Sequence, residues 1–114
     1  PMWEYNERIG VSNAIALIQN IRHPVVVGKV LNTENGRNDL DIFVATIDIE
    51  TGNELCYYSF GTTSDDEATS IIAGDNLDII VAGYTYGNLF AENFGNMDTF
   101  TAKIDQDLLC TIPP

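Results

Sequence analysis

The sequence predicts an all-β protein made of two four-stranded antiparallel β-propeller-like blades. The first observation is an internal repeat. Pro24-Val25-Val26-Val27-Gly28 followed by Asp41-Ile42-Phe43-Val44-Ala45-Thr46-Ile47-Asp48 returns as Ile79-Ile80-Val81-Ala82-Gly83 followed by Asp98-Thr99-Phe100-Thr101-Ala102-Lys103-Ile104-Asp105. The offset is 55 residues at Gly28/Gly83 and 57 at Asp41/Asp98, so a loop changes length while the strands keep their register. The second is the apolar pattern: runs of three to five residues bounded by Gly, Asn and Asp. Of these, Ala14 to Ile18 and Ala68 to Ala73 fit buried strands or a single helical turn, with the repeat context and the β-branched content favouring strands. The third is the period itself, since a repeat of about 50 residues rich in short strands points to radial or stacked β units. A pseudo-twofold β-sandwich, two such units face to face, is the alternative.

Residues 2–9, Trp3-Glu4-Tyr5-Asn6-Glu7-Arg8-Ile9 among them, resemble Tyr57-Tyr58-Ser59-Phe60 in character and read as an extra strand from a preceding unit. The first repeat, about 11–60, opens with the β-branched run Ala14 to Ile18. A turn at Asn20 to His23 leads to the strand Val25 to Leu31. A polar loop, Asn32 to Leu40, precedes the strand Asp41 to Ile47, where Ile42, Val44 and Thr46 face one way and Phe43, Ala45 and Ile47 the other. Glu50-Thr51-Gly52-Asn53 then turns the chain into Glu54 to Phe60. The second repeat, about 61–112, runs through Ala68 to Ala73, the turn Gly74-Asp75-Asn76, Asp78 to Thr85, an aromatic loop, and Asp98 to Ile104. Its fourth strand is a stub, Leu108 to Ile112, ended by Pro113-Pro114, which cannot continue a ladder. Thr99, Thr101 and Lys103 make one face of the second copy more polar than in the first, so the copies are not buried alike. Residues 1–114 thus form a single domain of two repeats.

The net charge is −12. A phosphate backbone is recognised by the opposite sign, so nucleic acid is excluded as a partner. No apolar run approaches the roughly 18–20 residues of a membrane-spanning helix, and no membrane insertion is expected. Pro1-Met2-Trp3-Glu4 is neither a signal nor a transit peptide. Cys56 and Cys110 lie 54 residues apart, close to the period, and read as equivalent positions on successive units. Such positions are usually too far apart to bond, so two free, partly buried thiols are expected. A Cys56–Cys110 bond would instead favour a self-contained two-sheet fold.

Phe60-Gly61-Thr62-Thr63-Ser64-Asp65-Asp66-Glu67-Ala68-Thr69-Ser70-Ile71, then Asp78 to Thr85, then Gly95 to Asp105, resembles one SBBP-type β-propeller repeat. That pattern runs Gly, an acidic stretch, an apolar strand, a turn, V-x-G-x-T, a loop and D-x-F-x-x-K-x-D. The match covers residues 56–105 well and 9–48 in degraded form: Val11-Ser12-Asn13 replaces the acids and Thr46 stands where Lys103 matches. The resemblance implies four-stranded blades, often in surface or secreted proteins, and no shared activity; an extracellular or cell-surface location follows as an expectation. Propellers hold roughly 4–8 blades, so two blades imply a ring of several copies, a piece of a larger assembly, or the sandwich.

No catalytic set can be assembled. His23, the only histidine, precedes Pro24 in a turn and reads as structural. Asp65-Asp66-Glu67 lacks the ligand order of a calcium loop and reads as a cap on turn N–H groups; no metal and no cofactor are expected. The aromatic side chains best suited to recognition are Trp3, Tyr84, Tyr86, Phe90 and Phe94, as ligand or interface residues. The expected function is a non-enzymatic structural or protein-interaction module that assembles with copies of itself or with other subunits. The alternative is a carbohydrate-binding lectin of small oligomeric propeller type, resting on Trp3, Tyr57, Tyr58 and the aromatic loop. A hydrolase would need a pair of carboxylates in a deep cleft.

Overall fold

The computed structural model describes residues 10–17, 23–73, 79–89 and 97–104. The expected strand at 2–9, the Gly74-Asp75-Asn76 turn, the stub at 108–112 and the candidates Trp3, Phe90 and Phe94 lie outside the described residues.

Among the described residues seven strands form two antiparallel sheets: β1 (Gly10–Ala16), β2 (Val25–Asn32), β3 (Asp39–Ile47) and β4 (Glu54–Phe60) in the first, β5 (Asp66–Ala73), β6 (Ile79–Thr85) and β7 (Asp98–Ile104) in the second. Neighbours in sequence are neighbours in each sheet. The loop between β2 and β3 holds a single 3₁₀ turn, Glu34–Gly36, in which Asn35 and Gly36 take positive φ. His23 has the structural role expected: its half-buried ring accepts the Ile49 N–H through Nδ1 at 3.1 Å, tying the β1–β2 connection to the turn before β4.

The repeat is visible in the hydrogen-bond register. Gly28 pairs with Phe43, and Gly83 pairs with Phe100. Each glycine also faces a bulge in the opening strand of its unit, between Ser12 and Ala14 in β1 and between Ala68 and Ser70 in β5. A bulge bends the strand that carries it and increases the local twist, and here the opening strand's backbone lies close over each glycine. A Cβ on Gly28 would sit 1.9 Å from the Val11 carbonyl oxygen, and one on Gly83 would sit 2.0 Å from that of Glu67. Both positions therefore require glycine for close backbone approach rather than for an unusual φ.

Register also orients the two faces of each unit. Call the face bearing Gly28, Val26, Val30, Phe43 and Ala45 the front of the first sheet; its counterpart in the second bears Gly83, Val81, Thr85, Phe100 and Ala102. The central core joins Val25, Val27, Ile42 and Val44, from the back of the first sheet, to Ile71, Ile79, Val81, Phe100 and Ile104, from the front of the second. The layers are sandwich-like, but unlike faces meet: the front of the second unit packs on the back of the first. A twofold operation would bring like faces together, so the units are related by stacking. Val25, Val27, Ile79 and Val81 are fully buried here, and each contributes on the order of 1.5–3 kcal/mol by leaving water.

The front of the first sheet carries its own buried cluster, Val26, Val30, Phe43, Ala45 and Ile47, with Tyr57 packed against it. The back of the second sheet is open, and Thr99, Thr101, Lys103 and Ile72 are exposed on it. The polarity difference between the third strands thus reports burial: β3 is buried on both faces and β7 on one.

The thiol expectation is corrected. Cys56 is disulfide-bonded, and the only other cysteine of the chain, Cys110, lies outside the described residues. Cys56 pairs with Thr46 and lies on the back of the first sheet, the face turned toward the second unit. Stacking therefore aims it at the following repeat, which the argument from equivalent positions overlooked.

Candidate functional site

The polar junction between the units is built from the loop before β3 and the turn before β5. Arg37-x-Asp39-x-Asp41 alternates along an extended segment, which brings its three side chains to one side. Arg37 Nη2 donates to Asp39 Oδ2 at 3.2 Å, to Asp41 Oδ1 at 2.9 Å and to the Thr62 carbonyl at 2.5 Å. Asp41 also accepts from Asn32 Nδ2 at 2.7 Å. On the other side Asp66, wholly buried, accepts the Thr62 N–H at 2.7 Å and the hydroxyls of Thr62 and Thr85. Gly61 is wedged between the two carboxylates: a Cβ there would lie 2.5 Å from Asp41 Oδ1 and 2.6 Å from Asp66 Oδ2.

Burial raises the Asp66 pKa, and the nearby Asp41 charge adds to this; the bonds from Thr62 and Thr85 pull the other way. The Arg37 guanidinium is held charged most strongly by its bonds to Asp39. These carboxylates are bonded to backbone, hydroxyl, amide and guanidinium donors. Within the acidic run Asp66 caps the turn N–H of Thr62, as the sequence suggests, while Asp65 Oδ1 accepts the Leu40 N–H of β3 at 3.0 Å. Among the described residues no group of three His, Cys, Asp or Glu side chains is arranged to hold a metal ion.

Glu67, one residue on, points to the opposite face and reaches the first unit. Its carboxylate accepts Asn13 Nδ2 at 2.6 Å and pairs with Lys29 Nζ at 3.3 Å, and it also accepts the Tyr84 hydroxyl. Asn13 is the extra residue of the β1 bulge and also donates to the Ala68 carbonyl at 2.9 Å, so the two bulges are tied together. Burial alone would raise the Glu67 pKa, but the bonds from Tyr84, Asn13 and Lys29 outweigh it and lower the value. The same hydrogen bond pushes the Tyr84 phenol up to about 12.

Of the sequence candidates, Tyr84 and Tyr86 come together as an edge-to-face pair with centroids 5.8 Å apart. Tyr86 is exposed, and its N–H donates to the Asp65 carbonyl at 2.9 Å. Leu89 of the same loop packs on the central core.

Sequence reasoning missed a second feature, a cavity of about 420 Å³ at the loop end of the first unit, lined by Val30, Asn32, Glu34, Asp41, Tyr57 and Ser59 among others. Alternation gave a signal: Tyr57 and Ser59 share a face of β4, which register places beside Phe43 and Ala45. A smaller hollow of about 260 Å³ lies where Tyr58 and Phe60 approach Ala102 and Lys103.

No known protein family matches the chain, and no curated protein is similar to it.

Proposed function

We propose that the chain is a non-enzymatic protein-interaction module of β-propeller-repeat type, assembling with copies of itself or with other subunits by stacking units front to back. The observation that supports this reading is the packing of the second unit's front on the first unit's back. Contacts between unlike faces are heterologous: they propagate into rings or open stacks, whereas like-to-like contacts close after one step. The SBBP-type resemblance supports the same reading, since propeller blades are units of this size related by rotation. The back of the second sheet is the counterpart of the surface on which the second unit already rests. It offers Ile72 and Ile80 among Thr99, Thr101 and Lys103, a mixed composition suited to a reversible contact rather than a permanent one. The disulfide at Cys56 fits an oxidising compartment, consistent with an extracellular or cell-surface setting.

Ile72 is 60% exposed, so a charge can be placed there without disturbing the core. Light scattering coupled to size-exclusion chromatography, run over a concentration series, should show mass rising with concentration for the native chain and a constant monomer mass for Ile72→Lys. A native chain that stays monomeric throughout, or an association that Ile72→Lys leaves intact, refutes the proposal.

A further inference from the structure

We propose that the cavity at the loop end of the first unit is a carbohydrate site that takes one pyranose residue of a glycan. The cavity's own chemistry carries this assignment, whether or not the units stack. Its volume, about 420 Å³, falls within the roughly 300–1,000 Å³ range of small-molecule pockets. Its apolar wall is Tyr57, whose ring stacks on Phe43 with centroids 6.2 Å apart and planes 16° from parallel. Phe43 is only 4% exposed, so Tyr57 is backed by the buried front cluster and its ring is fixed before any ligand arrives. A fixed aromatic ring matches the C–H face of a sugar and costs little entropy on binding.

The polar wall is also set in advance. Asn32 is held at both ends of its amide: Nδ2 donates to Asp41 Oδ2 at 2.7 Å, and Oδ1 accepts the Glu34 N–H at 2.9 Å. Asp41 is fixed in turn by Arg37 at 2.9 Å. Between these ordered groups stand two side chains, the Glu34 carboxylate and the Ser59 hydroxyl, which enter no hydrogen bond among the described residues. Acceptors thus outnumber donors, which suits a ligand rich in hydroxyl donors. Among the described residues no lysine or arginine lines the cavity. Arg37 is spent on Asp39 and Asp41, so a phosphate or carboxylate ligand would enter an acidic cavity without a counter-charge. A polyhydroxylated ring with one apolar face satisfies both walls.

The test uses the intact chain on a glycan array, followed by saturation-transfer NMR with a panel of neutral and amino monosaccharides at millimolar concentration. Binding should be seen with at least one neutral pyranose. Glu34→Gln and Ser59→Ala, which touch no packing contact described above, should each weaken it at least about tenfold, the worth of one hydrogen bond to a charged or buried partner. Tyr57→Ala should abolish binding; unchanged thermal unfolding of the first two variants separates loss of a contact from loss of fold. Silence on the array together with no transfer to any monosaccharide overturns the proposal. So does binding that all three substitutions leave unchanged, or binding confined to small organic cations such as tetramethylammonium.

Discussion

Thr46 is fully buried on the back of the first sheet, paired with Val25 on one side and Cys56 on the other. Its Oγ1 is the only buried side-chain polar atom without a hydrogen-bond partner among the described residues. Folding strips water from that hydroxyl and returns nothing, a cost of about 1–3 kcal/mol. Valine has the same branched shape, so Thr46→Val removes the unpaired group without opening a cavity or crowding Val25. The substitution should therefore stabilise the protein by about 1 kcal/mol, the lower end of that range because the threonine methyl already contributes its packing. For a domain of this size the shift in Tm is about 4 °C upward. Urea unfolding with the disulfide intact should show a higher midpoint and an unchanged slope, since the surface exposed on unfolding is the same. Lys103 occupies the matching place in the second unit but lies on an open face, so Lys103→Val should bring no such gain. A Thr46→Val protein less stable than the native chain would show that the hydroxyl has a partner, and the assignment of this face as a dry interface would fail.

Gly28→Ala and Gly83→Ala should each lose at least about 2 kcal/mol in the same urea assay, because the new Cβ meets a backbone carbonyl that the bulge holds in place; a loss well under 1 kcal/mol at either would mean that the bulge can relax. Glu67 has a lowered pKa in the fold, so its contribution is present above its unfolded value and is lost as pH falls through the folded one. Glu67→Gln should flatten that acid-side decline of stability, and an unaltered pH profile would count against the bulge-to-bulge tie. Asp66 has the opposite sign: its raised pKa makes stability fall as pH rises through it, and Asp66→Asn should remove that slope from unfolding curves taken across the mildly acidic range. Thr99→Ile with Thr101→Val restores the first unit's residues to the second unit's open face, and should increase the mass measured by light scattering; an unchanged monomer would deny that face its stacking role.

Much of the fold was legible because backbone geometry writes directly into sequence. Alternation in Asp41 to Ile47 and Asp98 to Ile104 gave both third strands, and Glu50-Thr51-Gly52-Asn53 gave the turn into β4, with Gly52 at φ 79°. The replacement of Ile42 and Val44 by Thr99 and Thr101 correctly announced unequal burial. The faces that meet were not legible, because alternation reports that a face is buried and never which surface buries it. The junction was half legible: the spacing of Arg37, Asp39 and Asp41 puts them on one side, but Asp66 and Thr85 arrive from a different sheet and no local pattern announces them. The cavity was hidden for the same reason, since Asn32, Asp41 and Tyr57 come from three strands. Tyr84 was chosen for its ring, whereas its hydroxyl bond to Glu67 is what binds it into the structure.

The disulfide at Cys56 meets the condition given above for a self-contained two-sheet fold, and the described sheets, of four and three strands and not closed on themselves, fit a sandwich-like arrangement. Equivalent residues on repeated units are displaced copies, which a twofold between the two sheets would bring together. The displacement, however, is front to back. Everything on the back of the first unit, Cys56 included, faces the chain that forms the second. A crosslink from that face is therefore compatible with stacked blades as well as with a sandwich. What separates the two is the identity of the facing surfaces: Val81 shares one buried cluster with Val27, whereas its own counterpart Val26 lies in the other. The same asymmetry assigns different work to the two ends. The front of the first sheet is already a buried apolar cluster, while the back of the second carries hydroxyls and a lysine where the first carries isoleucine, valine and threonine. The two outer faces of the described sheets therefore differ, and the back of the second is the more polar one.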